Sequence, residues 1–329
     1  NMSVRTQNAG LLLRLGRVDD ARVAVTAALE LNPQFPEALS LRGDILVRMG
    51  DFSKAYADFD KGAALNPDLH FVHGKRMHAK MQLGDWSNLA QELADLGAAL
   101  TLSGTAATPF SILSLLDDPH QHLAAARAVS QTYYPARADL GSHAARRGGE
   151  KIRLGYFSAD FRAHPMGQLL AELFEVHDRD NFEVFAFAFG PDAKDDMRRR
   201  LEAGFDKFID IRQLSDRDVA ALSRDMGVDI AIDLVAHTGH SRLGMFAYGC
   251  APIQVNYLGF PGTTGADYID YVIGDDSVIP PENYQHFTEK VVVMPQCYQV
   301  NDSKRKIAEQ LPTRGENGNP TSSSLGFAD

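Results

Sequence analysis

The pattern of apolar and polar positions changes once along the chain, near Lys151. Before that residue, helical runs recur at a fixed interval. After it, short runs rich in β-branched and aromatic residues alternate with helical ones. The two patterns predict a helical part followed by an α/β part.

The first part repeats every 34 residues. Leu31-Asn32-Pro33 recurs as Leu65-Asn66-Pro67, and the same interval separates Gly16, Gly50 and Gly84. This spacing is typical of tetratricopeptide repeats, in which a helix, a glycine-containing turn and a second helix are followed by a proline that breaks the chain before the next unit. We predict an α-solenoid of two regular repeats and a third with an altered end in residues 1–103, and we expect further repeats before the first residue.

Residues 104–150 contain three separated prolines and one helical run, near Gln121–Tyr133, and end in the basic stretch Arg146-Arg147-Gly148-Gly149. We interpret them as a helical connector. At the other end of the chain, residues 307–329 are expected to be a disordered tail or a truncated linker.

Residues 151–306 alternate between strands and helices. The predicted strands are Ile152–Ser158, Phe182–Phe189, Lys207–Ile211, Asp229–Leu234, Ile253–Leu258, Tyr271–Ile273 and Val291–Met294. Helices are predicted from about Gly167, at Ala193–Ala203, near Asp216–Met226 and near Arg242–Tyr248. This alternation implies a parallel sheet with crossover helices, a Rossmann-like lobe. Because ligands bind such sheets beyond the carboxyl ends of the strands, the loops after the strands are where chemistry is expected.

The composition narrows the class of function. Hydrophobic residues make up 44% and charged residues 23% of the 329 positions, and the formal net charge is -10. This favours a globular protein and disfavours nucleic-acid binding, since phosphate contacts need clustered Lys and Arg. The spacing of Cys250 and Cys297 fits neither a zinc cluster nor a disulfide framework and indicates a reducing compartment. Without a signal-peptide core or a spanning apolar run, we expect a cytoplasmic protein that does not enter a membrane.

The loop after the first predicted strand places His164 beside Pro165 at the start of a helix. Histidine titrates near neutrality, so it can accept a proton from an attacking hydroxyl or position that hydroxyl. Proline suits the first turn of the helix. The alternative is a surface histidine in a polar loop.

Two more loops after strands contain candidates. Leu258–Gly265 is rich in glycine, which allows backbone to approach a sugar or an anion, although a plain turn remains open. Asp233 and Thr238 are candidate substrate-binding residues and could equally hydrogen-bond neighbouring loops. His237 and His240 would suggest a metal, but no nearby residue completes a ligand set, so we expect none.

Several segments together resemble the O-linked N-acetylglucosamine transferases. They are Arg153–Phe161 followed by His164-Pro165, Ala251–Thr263, Asp270-Tyr271, and Cys297–Asp302, which looks like the bacterial branch. The resemblance covers about Lys151 to Lys306, and upstream tetratricopeptide repeats are a feature of this family. It implies a two-lobed GT-B fold of which residues 151–306 form the first Rossmann-like lobe.

The resemblance also implies an activity: inverting transfer of N-acetylglucosamine from a UDP-N-acetylglucosamine donor to Ser or Thr of proteins, with no metal or other cofactor. His164 matches the histidine proposed as general base. Pro261, Gly262 and Thr263 would lie near the sugar and the diphosphate. The repeats would guide protein or peptide acceptors.

Two features depart from the family. The second lobe's lysine against the diphosphate, His-Thr-Thr helix start and uridine contacts do not follow Asp302. Because such groups stabilise the leaving UDP, we expect this chain alone not to transfer sugar. Animal members line the concave face of the repeats with asparagines, where the matching positions here are Gln7, Leu41 and Lys75, or Gly10, Asp44 and His78.

Two rival functions fit the same residues. A non-catalytic tetratricopeptide scaffold would bind peptides and keep the lobe without activity. A two-lobed enzyme of another kind would epimerise a nucleotide sugar or glucosylate asparagine, which the combination of repeats and the Pro-Gly-Thr run disfavours.

Overall fold

The computed structural model describes residues 1–144 and 151–305. The predicted basic end of the connector, Arg146–Gly149, and the predicted tail, residues 307–329, lie outside the described residues.

Three helix pairs form the first part of the chain. They are α1 (Met2–Arg14) with α2 (Val18–Leu31), α3 (Pro36–Arg48) with α4 (Phe52–Leu65), and α5 (Val72–Gln82) with α6 (Leu89–Ser103). The turn residues Gly16, Gly50 and Gly84 have φ angles of 75°, 77° and 67°, the left-handed region in which glycine commonly ends a helix. The helix–turn–helix units predicted from the 34-residue spacing are therefore confirmed, including the third.

Residues 104–144, the described part of the connector, contain two helices, α7 (Pro109–Ile112) and α8 (Pro119–Tyr133). The second confirms the predicted helical run and begins two residues earlier. Asp118 caps it by accepting hydrogen bonds from the backbone N–H groups of His120 and Gln121. The single turn of α7 was not predicted.

Seven parallel strands form one sheet. They are β1 (Ile152–Ser158), β2 (Phe182–Ala188), β3 (Lys207–Asp210), β4 (Ile230–Asp233), β5 (Ile253–Tyr257), β6 (Tyr271–Gly274) and β7 (Lys290–Val293). Their order is β3-β2-β1-β4-β5-β6-β7, so the predicted Rossmann-like sheet is confirmed. The direction of strand addition reverses between β1 and β4, which opens a crevice at their carboxyl ends.

The helices between the strands are α9 (Pro165–Val176), α10 (Asp196–Ala203), α11 (Asp216–Asp225) and α12 (Gly244–Ala247), and a 3-10 helix spans Pro281–His286. Two are shorter than predicted. Asp195 delays the start of α10 because its side chain caps the helix by accepting from the N–H of Arg198. The single turn of α12 stops before Gly249, whose φ of 74° is incompatible with a continuing helix.

An apolar core lies on each face of the sheet. Leu154 and Val184 pack with Phe174 on the side of α9 and α10, while Phe157 packs with Phe246 on the side of α11 and α12. Alternate residues of each strand thus enter opposite cores, which accounts for the continuously apolar strands. In the described ranges, no helix combines the length and the apolar character that crossing a bilayer would require.

The chain returns across the lobe after β7. In this return segment (residues 295–305), the carbonyl of Tyr298 accepts a hydrogen bond from the hydroxyl of Tyr257 at 2.7 Å. Farther along, Asp302 receives two bonds from the guanidinium of Arg200, at 2.6 and 3.0 Å. Arg200 also binds Glu175 of α9 at 2.7 Å. The return segment is therefore tied to the opposite half of the sheet from β7.

Candidate active site

His164 ends the loop after β1 and is the N-cap of α9. Its Nδ1 accepts a hydrogen bond from the backbone N–H of Met166 at 3.3 Å, and its Nε2 lies 3.7 Å from Oδ1 of Asp160. The side chain is 33% exposed. Pro165 is the first helical residue, as predicted. Because Nδ1 accepts a hydrogen bond, the neutral ring carries its proton on Nε2.

The carboxylate of Asp195, in the loop after β2, holds the loop that carries His164 in place. Asp195 accepts hydrogen bonds from the N–H of Arg198 at 2.8 Å and from the N–H of Ala163 at 3.1 Å to each carboxylate oxygen. These bonds hold the pKa of Asp195 below its ordinary value, and the bond from Arg198 has the largest effect. The residue before His164 is thereby fixed to the start of α10.

Asp233 is the last residue of β4 and is 2% exposed. Its Oδ1 accepts hydrogen bonds from the N–H groups of Val235 at 2.9 Å and Ala236 at 3.0 Å. Burial raises the pKa of Asp233 to about 6, against the opposing effect of these two donors. In the same turn, the hydroxyl of Thr238 donates to the carbonyl of Val235 at 2.8 Å. Both side chains therefore bond within their own loop.

The buried side-chain amide of Asn256, on β5, hydrogen-bonds the loop that follows this strand. The Nδ2 of Asn256 donates to the carbonyl of Phe260 at 3.4 Å and to that of Gly262 at 3.2 Å. Asn256 is fully buried and was not singled out from the sequence. The signal that could have identified it is the alternation of polar and apolar residues in the run 253–257. This alternation places Asn256 on the same face of the strand as Gln254, which is also buried.

A buried carboxylate holds the other end of this loop. Glu289, just before β7, accepts hydrogen bonds from the hydroxyl of Thr263 at 2.7 Å and from the N–H of Thr264 at 2.7 Å, and it also accepts from the Thr264 hydroxyl. Sequence analysis missed Glu289. The Thr263 hydroxyl is thus turned into the protein, and the exposed part of the loop is Pro261.

His237 joins the loops after β4 and β5. Its Nε2 donates to the carbonyl of Thr264 at 2.7 Å, and the hydroxyl of Ser130 on α8 donates to the same oxygen at 2.7 Å. This bond occupies one of the two ring nitrogens with which His237 could bind a metal. Within residues 1–144 and 151–305, no group of three or more His, Cys, Asp or Glu side chains is placed to hold an ion.

The sheet brings these loops to one edge. Phe157 of β1, Asp233 of β4 and Asn256 of β5 are partners in register, so the loops that carry His164, Thr238 and the Pro261-Gly262-Thr263 run leave the sheet side by side. Contact is closest between the second and third loops, where a Cβ on Gly259 would overlap the carbonyl of Leu234. Among the described contacts, no hydrogen bond or ion pair joins His164 to either of those loops.

A cavity of about 220 Å³ lies between the connector helices and the loop after β5. Its walls come from α7, α8, the 3-10 helix and the Pro-Gly-Thr run. They include Pro109, Leu113, His122, Phe260, Pro261, Gly262, Thr263 and His286. The helical part of the chain and the candidate site therefore share a surface.

Unsatisfied polar atoms concentrate at this edge of the sheet. Four buried atoms that lack a hydrogen-bond partner belong to strand ends or to the loops after β1 and β4: Arg162 Nε, Asp233 Oδ2, Ser241 Oγ and Asn256 Oδ1. Buried polar groups are normally paired, and unpaired ones mark places where a water, a proton or a ligand completes the structure.

Comparison with known proteins identifies relatives of this lobe. The sequence profile of glycosyl transferase family 41 matches residues 133–317. The probable UDP-N-acetylglucosamine--peptide N-acetylglucosaminyltransferase SEC of Arabidopsis thaliana is 39% identical over 181 residues, which are 53% of this chain and 18% of that protein. The UDP-N-acetylglucosamine--peptide N-acetylglucosaminyltransferase of Caenorhabditis elegans is 34% identical over 161 residues, 48% of this chain and 14% of that one.

A solved structure matches both parts of the chain. A mutant of the O-GlcNAc transferase of Thermobaculum terrenum aligns with a TM-score of 0.67 and 27% identity, covering 91% of this chain and 58% of that one. The chain thus spans somewhat over half of that bacterial enzyme and less than a fifth of each of the two curated relatives.

Proposed function

Since this chain belongs to glycosyl transferase family 41, we propose that it serves the transfer of N-acetylglucosamine from UDP-N-acetylglucosamine to Ser or Thr hydroxyls of proteins. The observation that carries the proposal is the family match over residues 133–317, which contains the crevice between β1 and β4 and the loops around it. The relatives' names supply the donor and the class of acceptor.

In the proposed reaction, the acceptor hydroxyl oxygen bonds to the anomeric carbon of the sugar. The bond from that carbon to the phosphate oxygen of UDP breaks on the opposite face, so the configuration inverts. UDP leaves with the bonding electrons, and the hydroxyl proton passes to a base or to water. We propose that no metal takes part, so activity should persist in EDTA. A loss in EDTA that a divalent ion restores would contradict this.

The geometry of His164 favours positioning over proton abstraction. Its Nδ1 already accepts from Met166, so the proton on Nε2 is available to donate to the acceptor hydroxyl or to the sugar. We therefore propose that His164 orients a reacting oxygen through Nε2–H, rather than acting as the general base that the resemblance implies.

The other candidates shape the site in this proposal. The Thr263 hydroxyl is bonded to Glu289, so the sugar and diphosphate would meet the loop at Pro261, its exposed residue, instead. Asp233 and Thr238 would act by fixing the turn after β4.

The repeats would deliver the acceptor. A second cavity of about 220 Å³ lies between α3, α4, α5 and α7, and a peptide there would meet charged, aromatic and hydroxyl groups. The lining includes Asp44, Phe59, Lys75, His78, Thr108 and Ser111. Lys75 and Asp44 are paired at 2.7 Å across it, so a peptide carboxylate or amine would compete with an existing ion pair.

The test is transfer of labelled sugar from UDP-N-acetylglucosamine to protein by the enzyme purified from its source, with His164→Gln and His164→Ala compared. Because glutamine retains a donor, we expect His164→Gln to keep activity within about tenfold and His164→Ala to fall about a hundredfold. His73→Gln on α5 is the matched control and should leave kcat unchanged. Equal losses in both His164 variants would favour the general base, and no transfer by the unaltered enzyme would overturn the proposed function.

A further inference from the structure

Two buried oxygens on adjacent strands lack hydrogen-bond donors. Asp233 of β4 and Asn256 of β5 are partners in register, and both side chains are essentially inaccessible, at 2% and 0% exposure. Each uses one polar atom to hold its own loop: Oδ1 of Asp233 accepts from two backbone N–H groups, and Nδ2 of Asn256 donates to two carbonyls. This leaves Oδ2 of Asp233 and Oδ1 of Asn256 without partners.

The neighbours of Asp233 in the sheet leave one candidate partner. Partners in register on parallel strands project to the same face, so Asp233 lies between Phe157 of β1 and Asn256 of β5. Phe157 has no polar atom in its side chain. Two acceptor oxygens cannot satisfy each other, but a carboxylic acid can donate to a carboxamide oxygen.

We propose that the Asp233 carboxyl is protonated and donates a hydrogen bond to Oδ1 of Asn256, so that one proton couples the turn after β4 to the Pro261-Gly262-Thr263 loop. This makes Asp233 a positioning residue that acts through Asn256. The inference concerns the geometry of the two loops and does not depend on the sugar that is transferred.

The surroundings of Asp233 favour the neutral acid. The titratable groups coupled to it from neighbouring segments are Cys250, after α12, and Tyr268, before β6, and burial raises the pKa of each. His237, in the same loop, has its pKa lowered by burial. None of these is a cation near neutral pH, and in the described part of the chain no cation is among the causes that shift the pKa of Asp233.

The test compares the thermal stability of the 329-residue chain with that of Asp233→Asn between pH 5 and pH 7.5. A raised pKa means that the stabilisation is present at low pH and is lost as the pH rises through about 6. The amide of the variant donates to Asn256 at every pH. We therefore expect equal Tm values at pH 5 and a wild-type Tm lower than that of the variant by about 3–6 °C at pH 7.5.

Two further variants keep the test decisive. Asp233→Ala removes the donor and should melt below Asp233→Asn at both pH values. Asp267→Asn, at an exposed position, should follow the wild type. His237 is retained in every variant, so its own titration cancels. A wild type and Asp233→Asn with parallel pH profiles, or a carboxyl 13C signal of Asp233 that titrates near pH 4, would overturn the proposal.

Discussion

At the scale of single residues, buried polar side chains far apart in sequence hold the loops of the candidate site. Asn256 bonds the loop after β5 from the strand beneath it, and Glu289 bonds it from the start of β7. The sequence points to the loop through its glycines and its family resemblance. It does not point to Glu289, because that contact exists only once β5, β6 and β7 lie side by side.

The role of Glu289 can be tested by Glu289→Gln. The neutral amide would place an NH2 group where the carboxylate now accepts from Thr263 and Thr264, leaving a buried donor unpaired. We expect a loss of about 2–4 kcal/mol in the free energy of unfolding, measured by urea denaturation. Glu282→Gln, on the exposed side of the 3-10 helix, should change it by less than about 0.5 kcal/mol. Similar losses in the two variants would contradict the role given to Glu289.

At the scale of elements, the periodicity of apolar residues predicts almost all of the longer helices and strands. The strands agree with their predicted bounds to within one residue. The inner strands are largely buried on both faces and are apolar runs, whereas the edge strands β3 and β7 are partly exposed. The elements that were missed, α7 and the 3-10 helix, have only one and two turns, and both begin at prolines. Too few residues lie in them to establish a period. Their positions matter nonetheless, since both line the cavity beside the loop after β5.

The contact between α8 and the loop after β5 can be tested through Gly265, which lies in that loop. It has φ 65°, and a Cβ there would overlap the backbone of Ala126 and Arg127. Gly141 has φ 66° with open space around it, so Gly141→Ala reports the backbone strain alone. We expect about 1 kcal/mol of destabilisation for Gly141→Ala and about 3 kcal/mol or more for Gly265→Ala, from urea unfolding. Equal values would show that α8 moves aside without penalty.

At the scale of the whole molecule, the sequence predicts the parts better than their arrangement. The parallel sheet, the repeats and the helix at Gln121–Tyr133 were all predicted, whereas the return of residues 295–305 across the lobe was not. That path depends on Arg200, whose two carboxylate partners, Glu175 and Asp302, are more than a hundred residues apart. No local pattern carries information about such a pairing.

The return segment should loosen when Asp302 is replaced by alanine. Arg200 holds the pKa of Asp302 below its ordinary value, so the bond is present above about pH 4 and is lost as the pH falls through the lowered pKa. At pH 7 we expect faster hydrogen exchange at backbone amides 298–303 in Asp302→Ala, with exchange in β1 unchanged. Lys304→Ala removes a side chain that is 59% exposed and should have little effect. Unaltered exchange in Asp302→Ala would mean that the other bonds of the segment, from Tyr257 to Tyr298, from Tyr298 to Asp275 and from Ser303 to Glu172, are enough to anchor it.

The packing of α8 also affects where a chimaera with a different repeat array could be joined to this protein. The third repeat is joined to the connector, since the N–H groups of Phe71 and Gly74 donate to the carbonyls of Thr105 and Ala106, and α8 in turn bonds Thr264. A chimaera that exchanged the repeat array at residue 103 would cut through this assembly. A junction at the Asn66-Pro67 break would spare these bonds, but it would have to keep the Lys75–Asp44 ion pair and the packing of Phe59 against Val72, which cross it. Exchanging only the repeats before Pro67 would alter what the solenoid recognises and would leave the contact between α8 and the loop after β5 unchanged.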